Sequence, residues 1–427
     1  MHAYPFRPLC LAVLVLAAAT GYSQGATADT NLTLAAAVEL AVRDNPGLRS
    51  LRAKWEAMLE RPAQASALPN PMLKYSGMDM AEGGTWQDTN EKRIMVEQQF
   101  PWFGKRALRE GIARKDAEAM QCELEAMTRE TVMMVKESYF GLYAVQQAIT
   151  ITRKDETVLQ RMAKISETMY ATGERTQQDV LKAHSEITLL KQRLLELEAQ
   201  ENALQAKLNT LLNRRADAPL GAAVTPPENA FHATQDALFS MAAANRPEVH
   251  AAQAQTERYE LEKKLMSKES RPDYQLGVEY RDIGGGENMV MFTVGVELPI
   301  RQAKTRAGFR EAEKMRASSE AAREAAIQNS ALDVQNASFK LQTARRMLSL
   351  YKTELIPQAE TRFTASEADY KTGKADFMDF LESQRFLLGI RVMAAMAEGD
   401  VGMQFARLER AVGAELKAGP QPGENNK

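Results

Sequence analysis

Between Ala107 and Tyr170 the sequence contains no proline and only two glycines, Gly111 and Gly141. The tract is rich in Ala, Glu, Lys, Leu, Gln and Arg, the straight-chain residues that lose least on entering a helix. As one helix, about 64 residues rise roughly 95 Å. No compact globule accommodates such a rod, so the chain must be elongated. A second tract, from Ala303 to Tyr370, has similar length and one proline, Pro357.

The two rods belong to a wider duplication with a period of about 200 residues. Asn45-Pro46-Gly47-Leu48 returns as Arg246-Pro247-Glu248-Val249, Pro71-Met72-Leu73 as Pro272-Asp273-Tyr274, and Phe100-Pro101 as Leu298-Pro299. Tyr170-Ala171-Thr172-Gly173 with Asp179-Val180-Leu181 recurs as Tyr370-Lys371-Thr372-Gly373 with Asp379-Phe380-Leu381. Chance matches would not keep four landmarks in one order. Each copy reads helix, strand, loop, strand, long helix, turn, helix.

An opening helix is expected over about 34–66, with Leu34, Val38, Ala41, Val42, Leu48, Leu51, Trp55 and Leu59 at helical spacing, and its counterpart over about 235–268. The second limbs, about 177–213 and 376–415, supply antiparallel coiled-coil partners. Leu181, Leu189, Leu190, Leu194, Leu197, Leu204, Leu208 and Leu211 mark the apolar stripe of the first. The chain therefore divides into a leader (1–28), a first repeat (29–215), a linker (216–234), a second repeat (235–415) and a polar tail (416–427).

The segments between helices have a period of two. Tyr274, Leu276, Val278 and Tyr280 alternate with Gln275, Gly277, Glu279 and Arg281; Val290, Phe292, Val294, Val296 and Leu298 alternate with Met291, Thr293, Gly295 and Glu297. In the first copy Ile94, Val96 and Phe100 alternate with Arg93, Met95, Glu97 and Gln99, while Met72 to Met80 is a weaker match. The joining loops, Ala81 to Glu91 and Asp282 to Asn288, are rich in Gly, Glu and Asp. Alternation alone also fits a small sheet covering a soluble core.

Arg7, the apolar run Leu9 to Ala19 and Ala26-Thr27-Ala28 have the charge, length and small-residue ending of a secretory leader, which places the mature start at Asp29. Cys10 sits early in that run, which argues against a lipid-anchored N-terminus, and Cys122 is the other cysteine, so no intrachain disulfide is expected after processing. No later run of about 18 apolar residues offers a membrane-spanning helix. With 54 Lys+Arg against 56 Asp+Glu, both signs interleaved, the chain lacks the basic surplus that nucleic acid requires.

An exported chain with four alternating strands of barrel-like length meets a closure problem. Four strands cannot close a barrel, and an open edge in lipid leaves backbone groups unpaired. Three chains would supply twelve strands and a cylinder of helices. The order of elements, the twofold repeat, Ala67-Leu68-Pro69-Asn70-Pro71, Gln99-Phe100-Pro101-Trp102-Phe103-Gly104-Lys105-Arg106 and the paired Tyr-x-Thr-Gly turns resemble the TolC family of outer-membrane efflux ducts over nearly the whole mature chain. The Phe-Pro-Trp-Phe-Gly-Lys-Arg stretch looks most like the heavy-metal cation branch.

The resemblance implies a mainly α protein with a small β part: a homotrimer with a twelve-stranded outer-membrane β-barrel on a periplasmic helical tunnel. It also implies docking to a periplasmic adaptor (membrane fusion) protein and an inner-membrane pump of RND type. It places Asp379 and Glu382 in acidic rings at the periplasmic entrance, with Asp179 the first-repeat equivalent of Asp379, and assigns docking to the turns holding Thr172, Gly173, Thr372 and Gly373. The second copy carries Glu382 where the first has Lys182. Helix capping is the competing account of the aspartates, because Thr176 to Asp179 and Asp376 to Asp379 each fit a cap followed by an acid. This chain has Lys374-Ala375-Asp376 where the family often has x-Arg-Thr, and carries a turn arginine only at Arg175.

The lipid-facing set is expected to be Tyr274, Leu276, Val278, Val290, Phe292, Val294 and Val296. His184, His232 and His250 are scattered, so no metal site or other cofactor is expected. Gly284-Gly285-Gly286 has no following helix to cradle a phosphate, no nucleophile motif is present, and an enzyme is not expected. A duct for type I protein secretion would share this body; a periplasmic coiled-coil scaffold with a soluble sheet would differ in the strands.

Overall fold

A computed structural model describes residues 31–80, 89–224 and 233–416. The expected leader 1–28 with Cys10, positions 81–88 of the first strand loop, His232 and nearly all of the tail lie outside the described residues. The elements in order are β1 (Asn31–Leu32), α1 (Leu34–Asp44), α2 (Pro46–Leu59), α3 (Arg61–Ser66), β2 (Met72–Met80), β3 (Thr89–Phe100), α4 (Lys105–Ala171) and α5 (Gln177–Leu211). There follow β4 (Ala222–Ala223), α6 (Gln235–Asn245), α7 (Pro247–Lys268), β5 (Asp273–Ile283), β6 (Met289–Glu297), α8 (Gln302–Leu350), α9 (Ile356–Lys371) and α10 (Phe377–Val412).

The long helix α4 runs unbroken for 67 residues, about 100 Å at the standard rise. Its counterpart is interrupted. A π-helical turn, Tyr351–Leu355, separates α8 from α9, and the Ile356 amide bonds the carbonyl of Tyr351. Pro357 has no N–H for the carbonyl four residues back, so the backbone widens into the longer turn just before it.

Both opening helices differ from the expected single rods. The 34–66 tract breaks into α1, α2 and α3, and the 235–268 tract into α6 and α7. Proline disfavours helical backbone in the residue before it. Asn45 is accordingly extended, and its side chain accepts from the amides of Gly47 and Leu48 to start α2 behind Pro46. Arg246 is likewise extended before Pro247. The pair β1 and β4, parallel and two residues each, has no counterpart in the sequence reading and ties the segment before α1 to the linker.

Four strands form one antiparallel sheet in the order β2-β3-β5-β6. Thus β3 and β5 join the two copies, and β2 and β6 are free edges. The register sets Leu73 beside Val96, Val96 beside Val278 and Val278 beside Phe292, so apolar residues of all four strands share one face. That face is uncovered: Phe292 is 77% and Val294 72% exposed. The opposite face carries ion pairs, Lys74 with Glu97 at 2.6 Å, Glu91 with Arg93 at 2.7 Å and with Arg281 at 2.9 Å. The weak alternation of Met72 to Met80 is a full strand in the same register.

The helical core is built around α4. Leu159 and Met162 of α4, Leu190, Leu194 and Leu197 of α5, and Phe377, Phe380 and Leu388 of α10 form one buried cluster with Tyr370. The a/d spacing of 190, 194, 197, 204 and 208 is the coiled-coil seam. Leu181 and Leu189, expected in this stripe, fall off that register and are exposed. Where α10 crosses α4, Gly399 permits close approach, since a Cβ there would meet the Phe140 carbonyl oxygen at 2.8 Å. Among the described residues no helix is long and apolar enough to cross a membrane.

Candidate functional site

The hairpin turns after α4 and α9 share one backbone solution. Gly173 N–H bonds the Tyr170 carbonyl at 3.0 Å and Glu174 N–H the Met169 carbonyl at 2.8 Å; Gly373 and Lys374 repeat the pattern on Tyr370 and Asp369. This double closure needs a left-handed residue past the helix end, which glycine supplies most readily; the φ values are +77° and +78°. Thr172 donates its hydroxyl to the Met169 carbonyl and Thr372 to that of Ala368, both at 3.1 Å. The expected docking residues Thr172, Gly173, Thr372 and Gly373 thus build two exposed tips.

Above the turns the copies diverge. Tyr370 is fully buried, its hydroxyl 2.6 Å from Ser166 Oγ, whereas its counterpart Tyr170 is exposed. Tyr370 lies among Phe377, Phe380 and Phe363, with ring centroids 5.4 to 5.8 Å apart along the chain of contacts. Burial raises its phenol pKa, the Ser166 bond opposes this, and Asp179 adds to the rise. Arg175 places its guanidinium 5.2 Å from the Tyr370 ring centroid and donates to the Ala375 carbonyl at 2.7 Å. The arginine missing from the second turn is therefore supplied across the duplication by the first.

The three candidate acids occupy different settings. Asp379 is exposed in the first turn of α10, and its backbone N–H is capped by the Asp376 side chain at 2.9 Å. The cap is therefore Asp376, and the Asp379 carboxylate has no partner among the described residues. Thr176 makes no such side-chain bond; Asp179 N–H bonds the Thr176 carbonyl, and its partly buried side chain belongs to the Arg175–Tyr370 cluster. Glu382 is ion-paired with Arg362 at 2.7 Å on the neighbouring limb α9. Two further pairs, Arg391 with Glu360 and Lys352 with Glu398, strap the same limbs together.

Higher in the hairpins lies a polar group that sequence reasoning missed. Gln384, 1% exposed, donates to Asp155, and its own Oε1 has no partner among the described residues. Burial drives Asp155 up from 3.8 to about 6, against the pull of the Gln384 bond and the Arg391 charge, while Glu186 pushes it further up. Glu186 is itself buried and held by Arg385, whose Nε lies 2.8 Å away. The readable signal was positional: Asp155 follows Ala148 and Thr152 and precedes Leu159 and Met162 on the seam of α4. No group of three or more His, Cys, Asp or Glu among the described residues is placed to hold a metal ion.

Known proteins share this architecture. CusC superposes with a TM-score of 0.78 at 16% identity over 90% of this chain and 92% of its own. VceC of Vibrio cholerae, an outer membrane protein, does so at 0.75 and 15% identity over 90% and 97%. The cobalt-zinc-cadmium resistance protein CzcC of Cupriavidus metallidurans is 26% identical over 428 residues, covering 96% of this chain and 99% of its own length. The sequence profile of outer membrane efflux proteins matches twice, at residues 37–214 and 238–414. With both copies of the duplication matched, the chain belongs to the outer membrane efflux protein family.

Proposed function

We propose that three copies of this chain close one twelve-stranded barrel and a continuous helical tunnel, forming the passive outer-membrane duct of a tripartite export system. The observation that carries this reading is the sheet: four strands with two free edges and an apolar face left uncovered. In lipid an unpaired edge is costly, and closure requires further strands joined β6 to β2. A soluble scaffold would need that apolar face buried, and Phe292 and Val294 instead stand free.

The long hairpins carry the duct into the periplasm, where the exposed glycine turns are suited to an adaptor protein and, through it, an RND-type pump. Energy comes from that pump, and the chain performs no chemistry of its own. Likeness to CzcC supports heavy-metal cations as cargo. Asp379, exposed and unpaired, is the principal acid of the entrance; Glu382 is partly offset by Arg362, and Asp179 serves the tip cluster first. Purified in detergent, the protein should have the mass of three chains. A stable monomer in detergent-free buffer would overturn the duct.

A further inference from the structure

The apolar face of the sheet is too short for the membrane it is built to cross. On β6 it runs from Val290 to Val296, and on β5 from Tyr280 to Tyr274. Six residue steps cover about 20 Å along a strand, or about 15 Å of height at a barrel tilt near 45°. An outer-membrane barrel presents an apolar band about 25 Å tall. Growth beyond Tyr280 is blocked, since the next pair on this face is Asp282 with Lys92. The missing height must come from the helical end.

There the chain supplies it, in both copies. Phe103 is 78% exposed, and Leu298 and Ile300 are 66% and 82% exposed, as open as the barest strand positions or nearly so. Trp102 stacks on Tyr274 at 5.6 Å between centroids, continuing the apolar face onto the junction. Leu68, Trp102, Phe103, Arg106, Leu276 and Val294 line a cavity of about 690 Å³ that opens on this face. One cation, Arg106, lines it. Arg106 spends Nε on the Ser66 carbonyl at 2.6 Å and has no other partner among the described residues. Lys268 donates to the carbonyl of the lining residue Phe103 at 3.1 Å. Glu110 also lines the cavity and is paired with Arg114, and Asp273 beside it accepts from the Trp102 N–H and the Lys105 ammonium. Apolar side chains beside a guanidinium with spare N–H groups match acyl chains beside a phosphate.

We propose that this strand-to-helix junction is a phospholipid-binding collar in the periplasmic leaflet. The acyl chains lie along Leu276, Val294 and Phe103, and the headgroup phosphate sits on Arg106. The proposal rests on the barrel reading above and adds to it a site, a ligand class and a depth.

The chain has three tryptophans, so W55F and W86F leave Trp102 as the sole reporter. The doubly substituted trimer is reconstituted into phosphatidylcholine–phosphatidylglycerol vesicles containing lipid brominated either near the headgroup end of the chain or near its tip. Headgroup-end bromines should quench Trp102 more strongly than tip bromines, and aqueous iodide should barely reach it. In parallel, R106Q should reduce the phosphatidylglycerol retained per trimer in native mass spectrometry at least threefold, with trimer yield unchanged. Protein that floats with vesicles while Trp102 is open to iodide and untouched by bromolipid would overturn the collar alone. Retention that R106Q leaves unchanged, or that requires lipid A, would overturn the phospholipid assignment. Failure to float at all would overturn the barrel, and the collar with it.

Discussion

The buried carboxyl of Asp155 makes stability depend on acidity in an unusual direction. The folded protein holds its proton more tightly than an unfolded chain does, with titration moved from 3.8 to about 6. Its contribution is therefore complete below the unfolded value and is lost as pH rises through about 6. D155N would hold the neutral form at every pH and give the unpaired Gln384 Oε1 a donor. At pH 7.5 it should stabilise the hairpins by about 2 kcal/mol, seen as a raised melting temperature, and at pH 4.5 most of that gain should vanish. Equal gains at both values would mean Asp155 does not titrate in this window. Individual residues were also where the sequence was hardest to read. The tip acids could be picked out, but Glu382 meets Arg362 and Arg175 meets Ala375 only after the antiparallel register of the limbs is known. Spacing along one strip of sequence contains no such register.

Elements were far more legible, because their periods are local. The strands follow side-chain alternation, and α4 follows the absence of proline over its length. The failures have local causes too: Pro46 and Pro247 divide the opening helices, and Leu181 and Leu189 lie outside the heptad seam that Leu190, Leu194 and Leu197 define. Alternation makes a sharp test. V294D puts a charge on the uncovered face and should weaken the inserted barrel by about 1 to 3 kcal/mol, read as loss of heat-resistant trimer. T293D, one residue away on the face of the Lys74–Glu97 and Arg281–Glu91 pairs, should insert normally. Equal yields would mean the faces are reversed or both wet.

For the whole molecule the question is what sets the aperture. Three copies of an exposed, unpaired Asp379 around one axis would favour cations. D379N, recorded in a planar bilayer, should lower cation selectivity and weaken block by multivalent cations with trimer yield intact. Because Asp376 already caps α10, the loss of one charge in its first turn should cost only a few tenths of a kcal/mol; E382Q should lower cation selectivity as well, since it turns a neutral pair into an unpaired Arg362. An unchanged selectivity in intact trimers would remove Asp379 from the entrance. The free edges of β2 and β6 reach further, into heredity. A ring of identical links opens when any one link fails, so an allele that spoils either edge strand poisons assemblies it shares with normal subunits. If three copies make the ring, equal expression and random mixing would leave only about one ring in eight wholly normal. Lesions at the edges should therefore behave as dominant, whereas lesions at the tips should show a graded effect of gene dose.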